Sequence, residues 1–144
     1  MIKEIDIDLL VAFFGFYDTS VNGRTRVQKD ICILKHDAEL PFNFEFEPHF
    51  YGPYSSELTD TVDTLVAAGL LEEKIDVFPP GIFRYDYALT EEGKRLFSAI
   101  ESRLERMRPG ILAALKERIT DLKGKSMPEV IVLAKKCSGI QSTR

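Results

Sequence analysis

The stretch "GPYSSELTDTVDTLVAAGLLEE" (residues 52–73) decides how the chain is read. Gly52 and Pro53 form a turn, Ser55 or Ser56 can cap a following helix, and Glu57 in its first turn complements the helix dipole. Leu58, Val62, Leu65 and Val66 recur at helical spacing, and Gly69 is placed to end the helix in a left-handed conformation. The spacing predicts a helix of about four turns. Its polar residues include three acids, Glu57, Asp60 and Asp63, and no base.

Upstream, Asp6 to Tyr17 is apolar on nearly every side, as a helix buried among others would be. "DTSVNG" (18–23) supplies turn residues, and a second helix is expected from Arg24 to His36 with Val27, Ile31 and Leu34 on one stripe. In "PFNFEFEPHFY" (41–51) the period changes to two. Phe42, Phe44 and Phe46 alternate with polar residues as in a strand with one buried face, and Pro48 is expected to end its pairing.

Downstream, "LLEEKIDVF" and "IFRYDYAL" flank "PPG", which reads as two strands joined by a tight turn, with Phe83, Tyr85, Tyr87 and Leu89 on one face. Thr90 can cap a helix with the stripe Leu96, Ile100, Leu104 and Met107, which Pro109-Gly110 breaks. Another helix carries Leu112, Leu115, Ile119 and Leu122. Ser126 and Glu129, with Pro128 between them, form a capping box for the last.

The 144 residues fit one domain, and 44% hydrophobic with 29% charged residues is ordinary for a globular chain. The longest apolar run, residues 9–16, is far shorter than the ~20 residues needed to span a bilayer, so no membrane span is expected. "MIKEIDID" carries acids where a signal peptide carries bases, which makes cytoplasm the expected location. Charge divides along the chain: residues 105–144 hold nine Lys and Arg against four acids, and residues 1–104 hold ten against nineteen. Cys32 and Cys137 read as reduced thiols. Cys32 and His36, four apart on a helix, have too few companions for a tetrahedral metal site, so no metal or cofactor is expected. With no phosphate-binding glycine loop and no Gly-x-Ser-x-Gly turn, and with His36 and His49 each near acids as surface or capping histidines commonly are, no catalytic residues are expected either.

Three helices followed by a two-stranded wing resemble the winged-helix regulators, the likeness lying in "AAGLLEE" and "YALTEEGKRLF". The fold expected is therefore α+β, mainly α: a winged helix-turn-helix with a small β-sheet, in which the Phe-rich strand joins the wing hairpin, and additional C-terminal helices. A core of about residues 1–97 and a helical extension of about 98–144 would form a single domain. "GRTRVQKDICIL" (23–34) with "FEPHFYGPYSSEL" (46–58) further resembles the YwgA-like proteins and, more distantly, the Panacea domain of SocA-like antitoxins. There a Gln-Lys pair on a helix precedes an aromatic-Gly-Pro turn, matched here by Gln28, Lys29, Tyr51, Gly52 and Pro53, with Tyr54 following; read from the residues alone, Gln28 and Lys29 are placed either to hydrogen-bond that turn or to face a partner. That resemblance implies an antitoxin-like or adaptor role.

A winged helix that reads DNA lays its third helix in the major groove, where Arg and Lys make the commonest base contact and phosphate neutralisation supplies most of the affinity. Glu57, Asp60 and Asp63 would be repelled there, and the wing adds Glu72, Glu73, Asp76 and Asp86 against Lys74 and Arg84. Nucleic acid is therefore disfavoured through this helix. Glu57, Asp60, Asp63 and Thr64 are instead expected to bind a protein partner. The alternative is a dimeric DNA-binding regulator in which Arg24, Arg26 and Lys29 touch phosphates and the C-terminal helices form the homodimer interface.

Overall fold

Helix α1 (Glu4–Tyr17) is central because its sequence leaves it no polar side to turn outward: Leu9 to Phe14 are all buried. It begins two residues before the expected Asp6, and its two inner acids have partners. Asp8 lies 2.7 Å from the Arg103 guanidinium, and Asp6 accepts the backbone N–H of Asn43 at 2.8 Å. The computed structural model describes residues 2–143.

The chain continues through β1 (Val21–Asn22), α2 (Arg24–His36), β2 (Glu47–His49), β3 (Gly52–Tyr54) and α3 (Ser56–Ala67). Strands β4 (Leu71–Phe78) and β5 (Ile82–Leu89) follow, and then α4 (Glu91–Met107), α5 (Ile111–Lys123) and α6 (Met127–Ser138). The fold is α+β and mainly α, with two small antiparallel sheets, β1-β5-β4 and β2-β3.

Local chemistry sets most boundaries. The Ser55 hydroxyl accepts from Leu58 N to start α3, and the Thr90 hydroxyl accepts from Gly93 N to start α4. Ser126 and Glu129 complete their capping box at α6. Gly93 is required by contact rather than by conformation: a Cβ there would meet the Leu70 carbonyl oxygen at 2.1 Å, so the start of α4 presses on the α3–β4 link. The apolar stripes of α4, α5 and α6 close on α1 and α2 through Ile100, Leu104, Leu115, Ile119, Leu122, Val130 and Ala134, all in one continuous core. The division expected near residue 97 thus falls inside α4.

The Phe-rich strand does not form. Phe42 and Phe44 are buried and their polar neighbours exposed, as the alternation predicts, yet residues 37–46 pair with no strand. Side chains take the place of a neighbouring strand: Asp6 accepts Asn43 N, Glu57 accepts Glu45 N at 3.0 Å, and the Lys35 ammonium donates to the Phe44 carbonyl. Satisfying backbone groups in this way removes the need for a ladder. The third strand of the β4-β5 sheet is β1, inside the segment read as a turn, with Val21 opposite Tyr87. Nor does Pro48 end pairing. It lies opposite Pro53 in β2-β3, where two prolines are tolerated because the pair has no further neighbour.

Strands β4 and β5 pair over eight residues without a bulge, from Leu71↔Leu89 to Phe78↔Ile82. Leu71 and Tyr87 at the base are buried, whereas Val77, Phe78, Ile82 and Phe83 at the tip are exposed. The face expected to be apolar throughout is therefore core at one end and free surface at the other.

Candidate functional site

The two halves of the Gln-Lys and aromatic-Gly-Pro pattern meet. Gln28, on α2, clasps the start of α3: its Nε2 donates to the Ser55 carbonyl (2.9 Å) and to Thr59 Oγ1 (3.0 Å), and its Oε1 accepts from Ser55 N (2.8 Å). Next to it, the Lys29 ammonium donates to the Pro53 carbonyl at 2.7 Å. Lys29 is 2% exposed, and no carboxylate lies within ion-pair distance among the described residues. Burial, reinforced by the nearby charge of Lys135, pulls its pKa down to about 8.

The corner between β2 and β3 is built on these bonds. Gly52 adopts φ +100°, where a side chain would be strained and would also press on the Lys135 stem at 3.0 Å. The Tyr54 ring stacks on His49 (centroids 4.6 Å apart), and its hydroxyl shares a hydrogen bond with Thr59 Oγ1 at 2.9 Å. Phe50 and Tyr51, at the turn, are exposed. Gln28, Lys29, Gly52, Pro53 and Tyr54 thus position the entry to α3, and Tyr51 is the one member of the pattern fully turned to solvent.

From this corner α3 runs with Leu58, Val62 and Leu65 inward and Glu57, Asp60, Asp63 and Thr64 exposed. The Thr64 hydroxyl is turned back on the Asp60 carbonyl (2.8 Å), and one oxygen of Glu57 is engaged by Glu45 N. Asp60 and Asp63 carry no ion pair among the described residues. The outward face of α3 is accordingly anionic and unneutralised.

The three bases of α2 do not form the phosphate-contacting group expected of them. Arg26 is 8% exposed. Its guanidinium donates to the carbonyls of Lys125 (2.8 Å) and Leu122, and its Nε lies 3.2 and 3.3 Å from the two oxygens of Asp30, only the second with hydrogen-bond geometry. Lys29 is spent on Pro53. Both are taken inward because α6 and the α5–α6 link pack on this side of α2, a long-range contact that no local pattern announces.

Arg24 alone keeps a half-exposed side chain. Its Nε donates to the Tyr87 hydroxyl at 3.0 Å, the guanidinium carbon lies 3.8 Å above the Tyr85 ring, and Glu73 is 3.5 Å away. Tyr87 in turn donates to Glu73 at 2.7 Å, and burial followed by that bond pushes its pKa up to about 12. Arg24, Gln28, Thr59, Asp63 and Tyr87 rim a crevice between α2 and α3 floored by Val27, Leu58 and Val62. The crevice brings together one residue from each expected group: Arg24, Gln28 and Asp63. Sequence reading did not find Tyr87, Thr59 or Ser55 as their partners, since each lies 27 or more residues away.

His36 packs against Phe46, and burial lowers its pKa. Cys32 is fully buried. Its thiol is pushed up by a hydrogen bond with Cys137 and by burial, and Cys137 also faces the Ala134 carbonyl at 3.6 Å. No helix among the described residues is long and apolar enough to cross a membrane.

No family model matches the sequence. Over 71 residues, 49% of this chain, the sequence is 44% identical to the uncharacterized protein YwgA of Bacillus subtilis (strain 168). The matched stretch covers 42% of that relative's length. About half of the chain is thus similar to a YwgA-like protein.

Proposed function

We propose that the chain is a non-enzymatic winged-helix module whose third helix binds a protein partner, in an antitoxin-like or adaptor role. The order of α1, β1, α2, α3 and the β4-β5 hairpin, with β1 joined to β5, supports the winged-helix reading. The observation that carries the functional reading is electrostatic. The face a winged helix offers to a duplex presents Glu57, Asp60 and Asp63, while Arg26 and Lys29 of α2 are buried in internal bonds and the half-exposed Arg24 is held by Tyr87, Tyr85 and Glu73. A duplex brought to this face meets repulsion and gains no counterion release. A basic protein segment meets the opposite field, and the exposed Tyr51 and Phe50 beside the α3 entry offer the aromatic contacts that interfaces favour.

Fluorescence anisotropy with a labelled random duplex at low salt tests the reading, together with affinity capture from native lysate with and without nuclease. The expected result is no salt-sensitive duplex binding and a captured protein that survives nuclease and is lost in Asp60→Lys/Asp63→Lys. Tight duplex binding that weakens steeply with salt would replace this function with that of a DNA-binding regulator, with Arg24 as the first residue to examine.

A further inference from the structure

Strand β4 is an edge. It pairs with β5 on one side, and on the other no backbone hydrogen bond among the described residues reaches Glu72 to Val77. An eight-residue edge with no proline and no bulge is the kind that natural sheets cover or blunt. Its side chains are exposed on both faces beyond Glu73, including Ile75 (53%) and Val77 (61%).

We propose that the β4 edge pairs antiparallel with the β4 edge of a second copy of this chain, centred on Ile75, to give a continuous six-stranded sheet. A two-fold axis through an antiparallel ladder must set one residue opposite its own copy, because hydrogen-bonded and non-hydrogen-bonded pairs alternate and the axis cannot exchange one kind for the other. That leaves few registers. Centring on Glu73 opposes two glutamates, and centring on Asp76 opposes two aspartates. On Lys74, two lysines meet and Glu72 falls opposite Asp76. On Val77, Ile75 falls opposite Pro79 and no charge finds a partner. Centred on Ile75, Lys74 of each copy lies opposite Asp76 of the other, Glu73 lies opposite Val77, Glu72 lies opposite Phe78, and no like charges meet.

The neighbouring strand extends the match. In the observed register Asp76 is opposite Arg84 and Lys74 is opposite Asp86. A row across the joined sheet therefore reads Arg84, Asp76, then Lys74 and Asp86 of the second copy, alternating in sign at every step, and the two-fold repeats it. Arg84 lies 3.3 Å from Asp76 and 2.8 Å from Asp86, so the pattern is already formed within one chain. On the opposite face the row is Tyr85, Ile75, Ile75 and Tyr85, with the Arg24 guanidinium lying over each Tyr85. Pairs of both kinds stabilise antiparallel strands. In the C-terminal helices the core stripes are used internally, and among the described residues Met107 and Val132 are their exposed large apolar side chains.

The test combines sedimentation equilibrium across a concentration series with charge reversal and cross-linking. The wild-type chain is expected to approach twice its monomer mass at the top of the series. Lys74→Asp alone places acid opposite Asp76, and Asp76→Lys alone places Lys opposite Lys74. Each is expected to raise the dissociation constant roughly tenfold, and the double variant Lys74→Asp/Asp76→Lys, which restores the pairs between copies but sets like charges against Arg84 and Asp86 within each chain, to bind more tightly than either single variant. Ile75→Cys is expected to form a 75–75 disulfide under mild oxidation, identified by peptide mass, because Cα atoms of facing residues in an antiparallel pair fall within disulfide range. Glu73→Cys, opposite Val77, is expected not to link to itself. Lys74, Ile75 and Asp76 are solvent-facing, Glu73 is half-buried against Tyr87 and Arg24, and circular dichroism checks that each variant folds. A chain that stays monomeric throughout overturns the proposal. So does a dimer that ignores the charge reversals and forms no 75–75 link, which would place the contact on another surface such as the C-terminal helices.

Discussion

Arg26 holds a buried carboxylate, and removing it tests how α2 is fastened to the C-terminal helices. Asp30 is completely buried, and although Arg26 lies beside it, burial raises its pKa to about 6 from the usual 3.8. A carboxyl group whose folded pKa is raised destabilises the fold progressively as pH climbs from the unfolded value to the folded one, and the loss then levels off. In the wild type that decline ends near pH 6. In Arg26→Met the attraction that lowers the pKa of Asp30 is gone, so the pKa is expected to rise further and the decline to continue past pH 6. Between 6 and 7.5 lie one and a half pH units at about 1.4 kcal/mol each, so the deficit of the variant relative to the wild type is expected to be about 2 kcal/mol larger at pH 7.5 than at pH 5. The carbonyls of Leu122 and Lys125 also lose their donor, a cost of about 1–3 kcal/mol for each that stays buried, and one present at both pH values. Urea denaturation of both proteins at the two pH values measures these parts separately. Adding Asp30→Leu to Arg26→Met is expected to abolish the pH-dependent part and leave the rest. A loss that is equal at pH 5 and pH 7.5 would mean that Asp30 is not held by Arg26, and the reasoning would fail.

Lys29 has the opposite linkage. Its folded pKa of about 8 lies below the usual 10.5, so stability rises with pH from 8 towards 10.5; against Lys29→Met in urea melts, the wild type is expected to gain about 2 kcal/mol between pH 8 and 9.5. An unchanged difference between the two would show the ammonium to be hydrated. Leu65→Asp puts an unpaired charge where 3% of the side chain is exposed and is expected to abolish cooperative thermal unfolding, whereas Asp60→Lys/Asp63→Lys, both on the exposed face, should melt within a few degrees of the wild type. Cys32 is expected to resist Ellman's reagent in the folded protein, with the part-exposed Cys137 reacting first; the reverse order would contradict the packing of α6 on α2.

The parts of this fold written in local chemistry were legible in the sequence. Ser55, Thr90 and the Ser126–Glu129 pair mark helix starts through bonds spanning three residues, and the α2 boundaries at Arg24 and His36 follow from periodicity. The alternation of Phe42 and Phe44 correctly gave their burial. It could not give a strand, because pairing depends on a neighbour, and here Asp6, Lys35 and Glu57 serve instead. Arg26 misled for a related reason. A base in a polar first turn looks solvated until α5 and α6, about a hundred residues later, supply the carbonyls and close over it. In sequence, Gln28 and Lys29 are placed either to hydrogen-bond the Gly52-Pro53 turn or to face a partner, and the clasp on Ser55, Thr59 and the Pro53 carbonyl is the first of these.

The segment 42–46 behaves as a strap tied at three points, to α1 through Asp6, to α2 through Lys35 and to α3 through Glu57. Its length fixes how far those helices can part before one tie lets go. Glu57 is both the knot on α3 and a member of the outward acidic face, so a cation that captures its carboxylate competes directly with the Glu45 amide. Docking at that face would be felt first as slack in the strap, registered by faster hydrogen exchange at residue 45 before any helix has moved.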